Sequence, residues 1–150
     1  MRSYTNLARR LMYLSVLIAL FAGHSTADEV EMASESDDLN KTGINISNVS
    51  FVAPAPEKEN LNEEWVEIKN FGDNPQNLTG WTLADEGNHQ YTFPEDFTID
   101  PGALVKVHTG SGEDTATDLY WNRSTPVWNN DGDIATLRDS SGNVVAEHVE

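Results

Sequence analysis

The chain contains no cysteine and few basic residues, with nine Lys and Arg against 25 Asp and Glu in 150 residues. The lack of cysteine excludes disulfides, thiolate metal sites, iron–sulfur clusters and a cysteine nucleophile. The formal charge of −16 argues against direct nucleic-acid binding, because phosphate contacts require clustered Lys and Arg. No apolar run reaches the about 20 residues of a membrane-spanning helix, so no span is expected in the mature chain.

Sequence signatures of catalysis are also missing. The chain has no Gly-x-Ser-x-Gly elbow, no Walker loop and no Gly-x-Gly-x-x-Gly. His89, His108 and His148 lie far apart in sequence, without metal-ligand spacing. Glu64 and Glu67 are three positions apart on a predicted strand, so they face opposite sides and cannot share acid–base work. These absences predict a protein that is not an enzyme.

The first 27 residues have the features of a secretory signal peptide. Three arginines precede the apolar run 11–22, and the small residues Ser25 and Ala27 occupy positions −3 and −1 of a cleavage site. We expect cleavage after Ala27 and a secreted or cell-surface protein, with a retained anchor as the alternative. The charged residues of this leader are all Arg, so its removal leaves six basic residues against 25 acidic ones, a formal charge of −19. That charge favours solubility and cationic partners.

The spacing of apolar residues differs between the two parts of the remaining chain. Residues 28–43 are acidic and small polar residues without an apolar period, which predicts a disordered linker. Residues 44–150 form the predicted folded domain, in which apolar residues alternate with a period of two. Seven strands are predicted, at 44–52, 64–70, 81–83, 90–93, 104–107, 134–137 and 144–146. Short strands separated by turn residues predict an all-β, immunoglobulin-like β-sandwich of about seven or more strands, whose tryptophans, Trp81 among them, replace the usual disulfide at the centre.

Eight segments of this domain carry a resemblance to a known family. In order they are NEEWVEIKN (62–70), LTGWTL (78–83), YTFP (91–94), DPGALVKV (100–107), TDLYW (117–121), VWNN (127–130), GDIATLRD (132–139) and GNVV (142–145). This string resembles the lamin tail domain, as found in secreted prokaryotic proteins and at the C-terminus of nuclear lamins. The resemblance covers residues 44–149 and implies an immunoglobulin-like β-sandwich without catalytic residues. In prokaryotes such domains often occur beside nucleases or other hydrolases, or as cell-surface modules.

Trp121, Arg123 and Trp128 form the candidate partner-contact set. Trp121 and Trp128 flank a predicted loop with Arg123 between them, and Trp and Arg dominate binding hot spots. The alternative for Arg123 is simple balancing of local acidic charge. A carbohydrate platform built from the tryptophans is a further alternative, but their strand spacing predicts core packing for most of them.

A calcium site is the one cofactor that the sequence suggests, and otherwise no cofactor is expected. The turn at 129–133 is rich in oxygen ligands, and the acidic loop at 110–118 could add more. The candidate ligands are Asp118, Asn129, Asp131 and Asp133. The turn lacks the twelfth-position Glu of a helix–loop–helix calcium site, and Asp-Gly is also an ordinary hairpin turn.

Asn-x-Ser/Thr sequons provide possible glycosylation sites on an exported chain. Five occur, at Asn40, Asn45, Asn48, Asn77 and Asn122. Asn is abundant throughout the chain, so chance matches are the alternative.

Three functions are compatible with the sequence. The first is a secreted, non-enzymatic module that binds a protein, a glycan or a surface polymer. The second is a structural component of the envelope or extracellular matrix, which would self-associate. The third is an accessory factor to an extracellular nuclease or other hydrolase. The sequence favours the first.

Overall fold

The computed structural model describes residues 43–150. The predicted signal peptide, the predicted linker up to residue 42 and the sequon at Asn40 lie outside the described residues. The described chain is all-β apart from two single 3₁₀ turns, at Glu57–Glu59 and Leu61–Glu63. Its strands are β1 (Ile44–Ser50), β2 (Trp65–Asn70), β3 (Gln76–Asn77), β4 (Thr82–Ala84), β5 (Gln90–Thr92), β6 (Thr98–Ile99), β7 (Leu104–His108), β8 (Asp118–Tyr120), β9 (Ile134–Arg138) and β10 (Val144–Val149). None of the helical segments within 43–150 has the length and hydrophobicity to cross a membrane.

The strands form a sandwich of two four-stranded sheets. One sheet has the order β1-β2-β7-β8 and the other the order β10-β9-β4-β5, with a separate ribbon of β3 and β6. Neighbouring strands are antiparallel except for β7 and β8, which pair in parallel with Val107 opposite Leu119. This architecture confirms the predicted all-β, immunoglobulin-like fold.

One hydrophobic core fills the space between the two sheets. Most strands contribute alternate residues, as strand geometry requires, whereas β10 buries the adjacent Val145 and Ala146 at a register shift and β3 contributes none. Val66 and Ile68 of β2 are fully buried against the layer that contains Leu83 of β4 and Leu137 of β9. Trp81 lies in this core with 4% of its surface exposed, as predicted. Apolar burial on this scale is the main source of stability in a domain without disulfides.

The seven predicted strands are all present, and three further strands are not among the predictions. β3 and β6 have two residues each, which is too short to show a period of two. β8 follows an acidic loop and has a single buried residue, Leu119. Because β8 pairs in parallel with β7 at the edge of its sheet, its place depends on tertiary contacts.

Candidate functional site

Arg123 lies in a polar groove at one end of the sandwich. The groove has a volume of about 420 Å³ and is lined by three segments, 58–63, 110–111 and 123–124. We call it the loop groove. Its first segment spans the two 3₁₀ turns before β2, its second follows β7, and its third follows β8.

Hydrogen bonds join the three segments of the loop groove. The Asn62 side-chain amide donates to the Ser111 carbonyl at 3.1 Å. The Thr109 N–H donates to the Glu64 carbonyl, and the Arg123 N–H donates to the Thr109 carbonyl, both at 2.9 Å. Backbone bonds of this kind fix the segments relative to one another, so the groove is formed before any ligand arrives.

Gly110 allows the first two segments to approach closely. A Cβ at this position would overlap the Asn62 side chain and lie 3.1 Å from Leu61 Cβ. Glycine is required at position 110 because a larger residue would prevent the segments 58–63 and 110–111 from packing this closely.

Glu64 follows the first segment of the loop groove in sequence and is a buried anchor for residues 127 and 128. It is 1% exposed, and its carboxylate accepts the N–H of Trp128 at 2.8 Å and that of Val127 at 3.3 Å. The ion pairs of the described residues do not include it. Burial raises the pKa of the Glu64 carboxyl, while the nearby Thr109 hydroxyl and the two amides partly lower it. The Thr109 hydroxyl makes no hydrogen bond of regular geometry, so the two backbone amides are the partners that hold the carboxylate.

The role of Glu64 was not predicted from the sequence. As predicted, Glu64 and Glu67 face opposite sides, since Glu64 is buried whereas Glu67 is half-exposed and accepts the Ser47 hydroxyl at 2.7 Å. A signal was present, because Glu64 shares strand parity with the inward-facing Val66 and Ile68. An acid at an inward position predicts a buried carboxylate with hydrogen-bond partners.

The three candidate contact residues differ in their exposure to solvent. Trp128 is 3% exposed and stacks on Phe51, with ring centroids 4.7 Å apart. The prediction that Trp128 contacts a partner is therefore wrong, because its backbone amide is tied to Glu64 and its ring fills the core. Trp121 is half-buried against Trp128 and Tyr91. Of the three residues, only Arg123 lines the groove.

Trp65 shows that one tryptophan lies outside the core. It occupies the outer face of β2, where the Lys106 ammonium group sits 3.8 Å from the centre of its ring. Core packing was expected for most of the tryptophans, and Trp65 is an exception because it has the opposite strand parity to Val66 and Ile68.

His108 connects the loop groove to β8. Its Nδ1 lies 2.7 Å from the Asn62 carbonyl oxygen, and its Nε2 lies 3.0 Å from an Asp118 carboxylate oxygen. The other Asp118 oxygen accepts the Thr117 hydroxyl at 2.7 Å. The Thr117 hydrogen bond and then the His108 bond hold the pKa of Asp118 below its usual range. Tyr120 stacks on the other side of the His108 ring at 5.1 Å.

Asn129, Asp131 and Asp133 share one turn, but the acidic candidates do not form a metal-binding group. Residues 43–150 contain no group of three or more His, Asp and Glu side chains that could hold a metal ion, so Asp118, Asp131 and Asp133 do not form one. Asp133 is buried and accepts the N–H groups of Glu86, Asn129 and Ile134 at 3.1, 3.0 and 2.7 Å. Its carboxylate thus stabilises the turn. Calcium binding stays a prediction.

The four sequons within the described residues are all on the surface. Asn45 and Asn48 lie on β1, Asn77 on β3, and Asn122 in the loop after β8, and each is exposed. Exposure satisfies the steric requirement for glycosylation, which stays a prediction at these positions.

Comparison with known proteins places this chain in a family. No curated protein matches it. A similar solved structure is the archaellum periplasmic stator protein complex FlaF and FlaG from Sulfolobus acidocaldarius, at 11% identity and a TM-score of 0.40 over 87% of this chain and 100% of that chain. A likeness at this level carries no argument about function. The family model of the lamin tail domain matches residues 39–150. The chain therefore belongs to the lamin tail domain family.

Proposed function

We propose that this protein is a secreted, non-catalytic module of the prokaryotic lamin tail type, which uses the loop groove to bind a protein, glycan or surface polymer outside the cell. The observation that carries the proposal is a prearranged polar groove with two unpaired cations, Lys58 and Arg123. Secretion is supported by the leader-like sequence of residues 1–27.

The two cations differ from the other basic residues of the described chain. Residues 43–150 contain five Lys and Arg. The Lys69 and Lys106 ammonium groups lie over the rings of Phe71 and Trp65, and the Arg138 guanidinium donates to the Gly142 carbonyl.

Lys58 and Arg123, by contrast, have no ion-pair partner within 43–150, and both line the same groove. A cation without a partner in a domain this acidic is available to a ligand.

The arrangement of the histidines supports a non-catalytic role. Catalysis requires a nucleophile, base or metal with an orienting partner in a site that a substrate can reach. His108 is enclosed between Asn62, Asp118 and Tyr120. His89 is 39% exposed and is held by Asp85 at 2.7 Å, so it has an orienting partner, but it lies outside the proposed ligand site. Neither ring lines the loop groove.

Export and surface binding can be tested together with the full-length gene. Intact mass of the native protein should show a chain that begins near Asp28, outside the cytoplasmic membrane. The purified protein should bind isolated cell envelopes, and the double variant Lys58→Ala/Arg123→Ala should bind at least several-fold less. Arg138→Ala, which removes a cation outside the groove, serves as the control.

Two results would contradict the proposal. One is a cytosolic protein that retains Met1. The other is equal envelope binding by the double variant and the wild type, which would exclude the loop groove as the contact surface. A hydrolase or nuclease turnover that disappears on mutation of one carboxylate or histidine would contradict the non-catalytic role.

A further inference from the structure

The chemistry of the loop groove identifies a class of ligand. We infer that the groove binds an acidic sugar polymer, a polyuronate, whose carboxylates pair with Arg123 and Lys58 and whose hydroxyls bond the neutral and acidic groups around them. This inference rests on the proposed function and narrows it to one partner class.

Arg123 supplies the primary contact for a carboxylate. Its guanidinium offers a planar pair of donors that matches the two oxygens of a carboxylate. Arg123 is half-buried, and partial removal from water strengthens such a pair relative to an exposed one. Lys58 is exposed on the opposite segment of the groove, where it can meet a second carboxylate along the same polymer.

The remaining lining of the groove suits hydroxyl groups. The groove that holds the two cations is also lined by Asn60, Ser111, Ser124 and the acidic residues Glu59 and Glu63. Sugar hydroxyls both donate and accept, so amides, hydroxyls and carboxylates are all suitable partners for them. The Asn60 side-chain NH₂ is already held by the carbonyls of Pro54 and Pro56, which leaves its Oδ1 available to accept a hydrogen bond from a sugar hydroxyl.

The same lining argues against a peptide as the ligand. Protein interfaces are centred on buried apolar and aromatic anchors. Leu61 is the one apolar side chain of the groove, and it is buried in the domain. A peptide would therefore find no apolar pocket for an anchoring side chain, whereas a polyhydroxylated chain needs none.

The acidic surface also selects against dense polyanions. The domain has a large excess of acidic residues, which repels a closely charged polymer such as nucleic acid. A polyuronate carries at most one carboxylate per sugar, a lower charge density than the one charge per about 1.7 Å of duplex DNA, so the acidic surface repels it less. The local pairs at Arg123 and Lys58 therefore decide the binding of a sparsely charged chain.

Calorimetric titration of the full-length protein with tetragalacturonate and with a hyaluronan tetrasaccharide tests this inference. We expect at least one of them to bind and its methyl ester to lose at least tenfold in affinity. Arg123→Gln should bind at least tenfold more weakly, whereas Arg138→Gln should match the wild type. Melting curves establish that each variant is folded.

The inference is wrong if neither uronate binds, or if a neutral galacto-oligosaccharide binds equally well. It is also wrong if folded Arg123→Gln binds with unchanged affinity. Tighter binding of an oligoglutamate peptide would overturn it too, and would assign a protein ligand to the groove. If both uronates fail while envelope binding still depends on Lys58 and Arg123, the proposed function stands and only the ligand class is wrong.

Discussion

Replacement of Glu64 gives the most direct test of how the 127–128 segment is held to the domain. Its carboxylate accepts two backbone N–H groups, from Val127 and Trp128, in a buried position. An orphaned buried donor costs about 1–3 kcal/mol. Glu64→Ala orphans both donors and should lower the free energy of unfolding by ~2–6 kcal/mol. Glu64→Gln keeps one acceptor oxygen and should cost ~1–3 kcal/mol.

Urea denaturation followed by tryptophan fluorescence measures both variants. Unchanged slopes would attribute the shifts in midpoint to stability, and Glu63→Gln, an exposed neighbour, is the matched control. A wild-type midpoint for Glu64→Ala would refute the anchoring role. Equal losses for Ala and Gln would show that the charge, and not the number of acceptors, is what stabilises the 127–128 segment.

The pH dependence of Glu64 supplies an independent check. Because burial raises its pKa in the folded state, the folded protein holds a proton that the unfolded chain has released. Stability should therefore fall as pH rises from the ordinary Glu value towards the raised folded one. Glu64→Gln cannot titrate, so the difference in stability between it and the wild type should change across that window. A constant difference would contradict the raised pKa.

Four further predictions concern single sites. Asp118 has a lowered pKa, so its stabilising contribution should be complete above the ordinary Asp value and lost as pH falls through the folded one; an acid titration of Asp118→Asn should lack this loss. Trp81→Ala should cost ~3–5 kcal/mol in chemical denaturation, and a wild-type midpoint would contradict the core. Gly110→Ala, which forces a Cβ against Asn62, should destabilise by ~1–3 kcal/mol and weaken envelope binding; wild-type values for both would refute the close approach. If Asn129 and Asp131 bind calcium, millimolar calcium should raise the melting temperature relative to EDTA, and no shift would exclude the site.

Local periodicity was sufficient to predict seven of the ten strands within 43–150 and the sandwich fold, and residue parity to predict most of the strand faces. In β2, the alternation of Trp65, Val66 and Glu67 corresponds to alternate sides of one strand, because successive side chains of a strand point in opposite directions. The longer strands carry this signal within themselves, but the three-residue β8 has a single buried residue and was not predicted. The two-residue strands β3 and β6 carry none, so their pairing could be known only from the fold.

The formation of the loop groove and the burial of Glu64 depend on contacts between distant parts of the chain. Glu64 meets the amides of Val127 and Trp128 across 63 and 64 positions of sequence, and no local pattern encodes such a meeting. Beside this contact the Trp128 ring stacks on Phe51 in the core, whereas Arg123 is only half-buried. The sequence alone determined that this end of the domain would carry Trp, Arg and acidic residues. Tertiary packing decided which of these residues face water. A carboxylate can be buried only where the fold places hydrogen-bond donors next to it, and those donors come from distant residues.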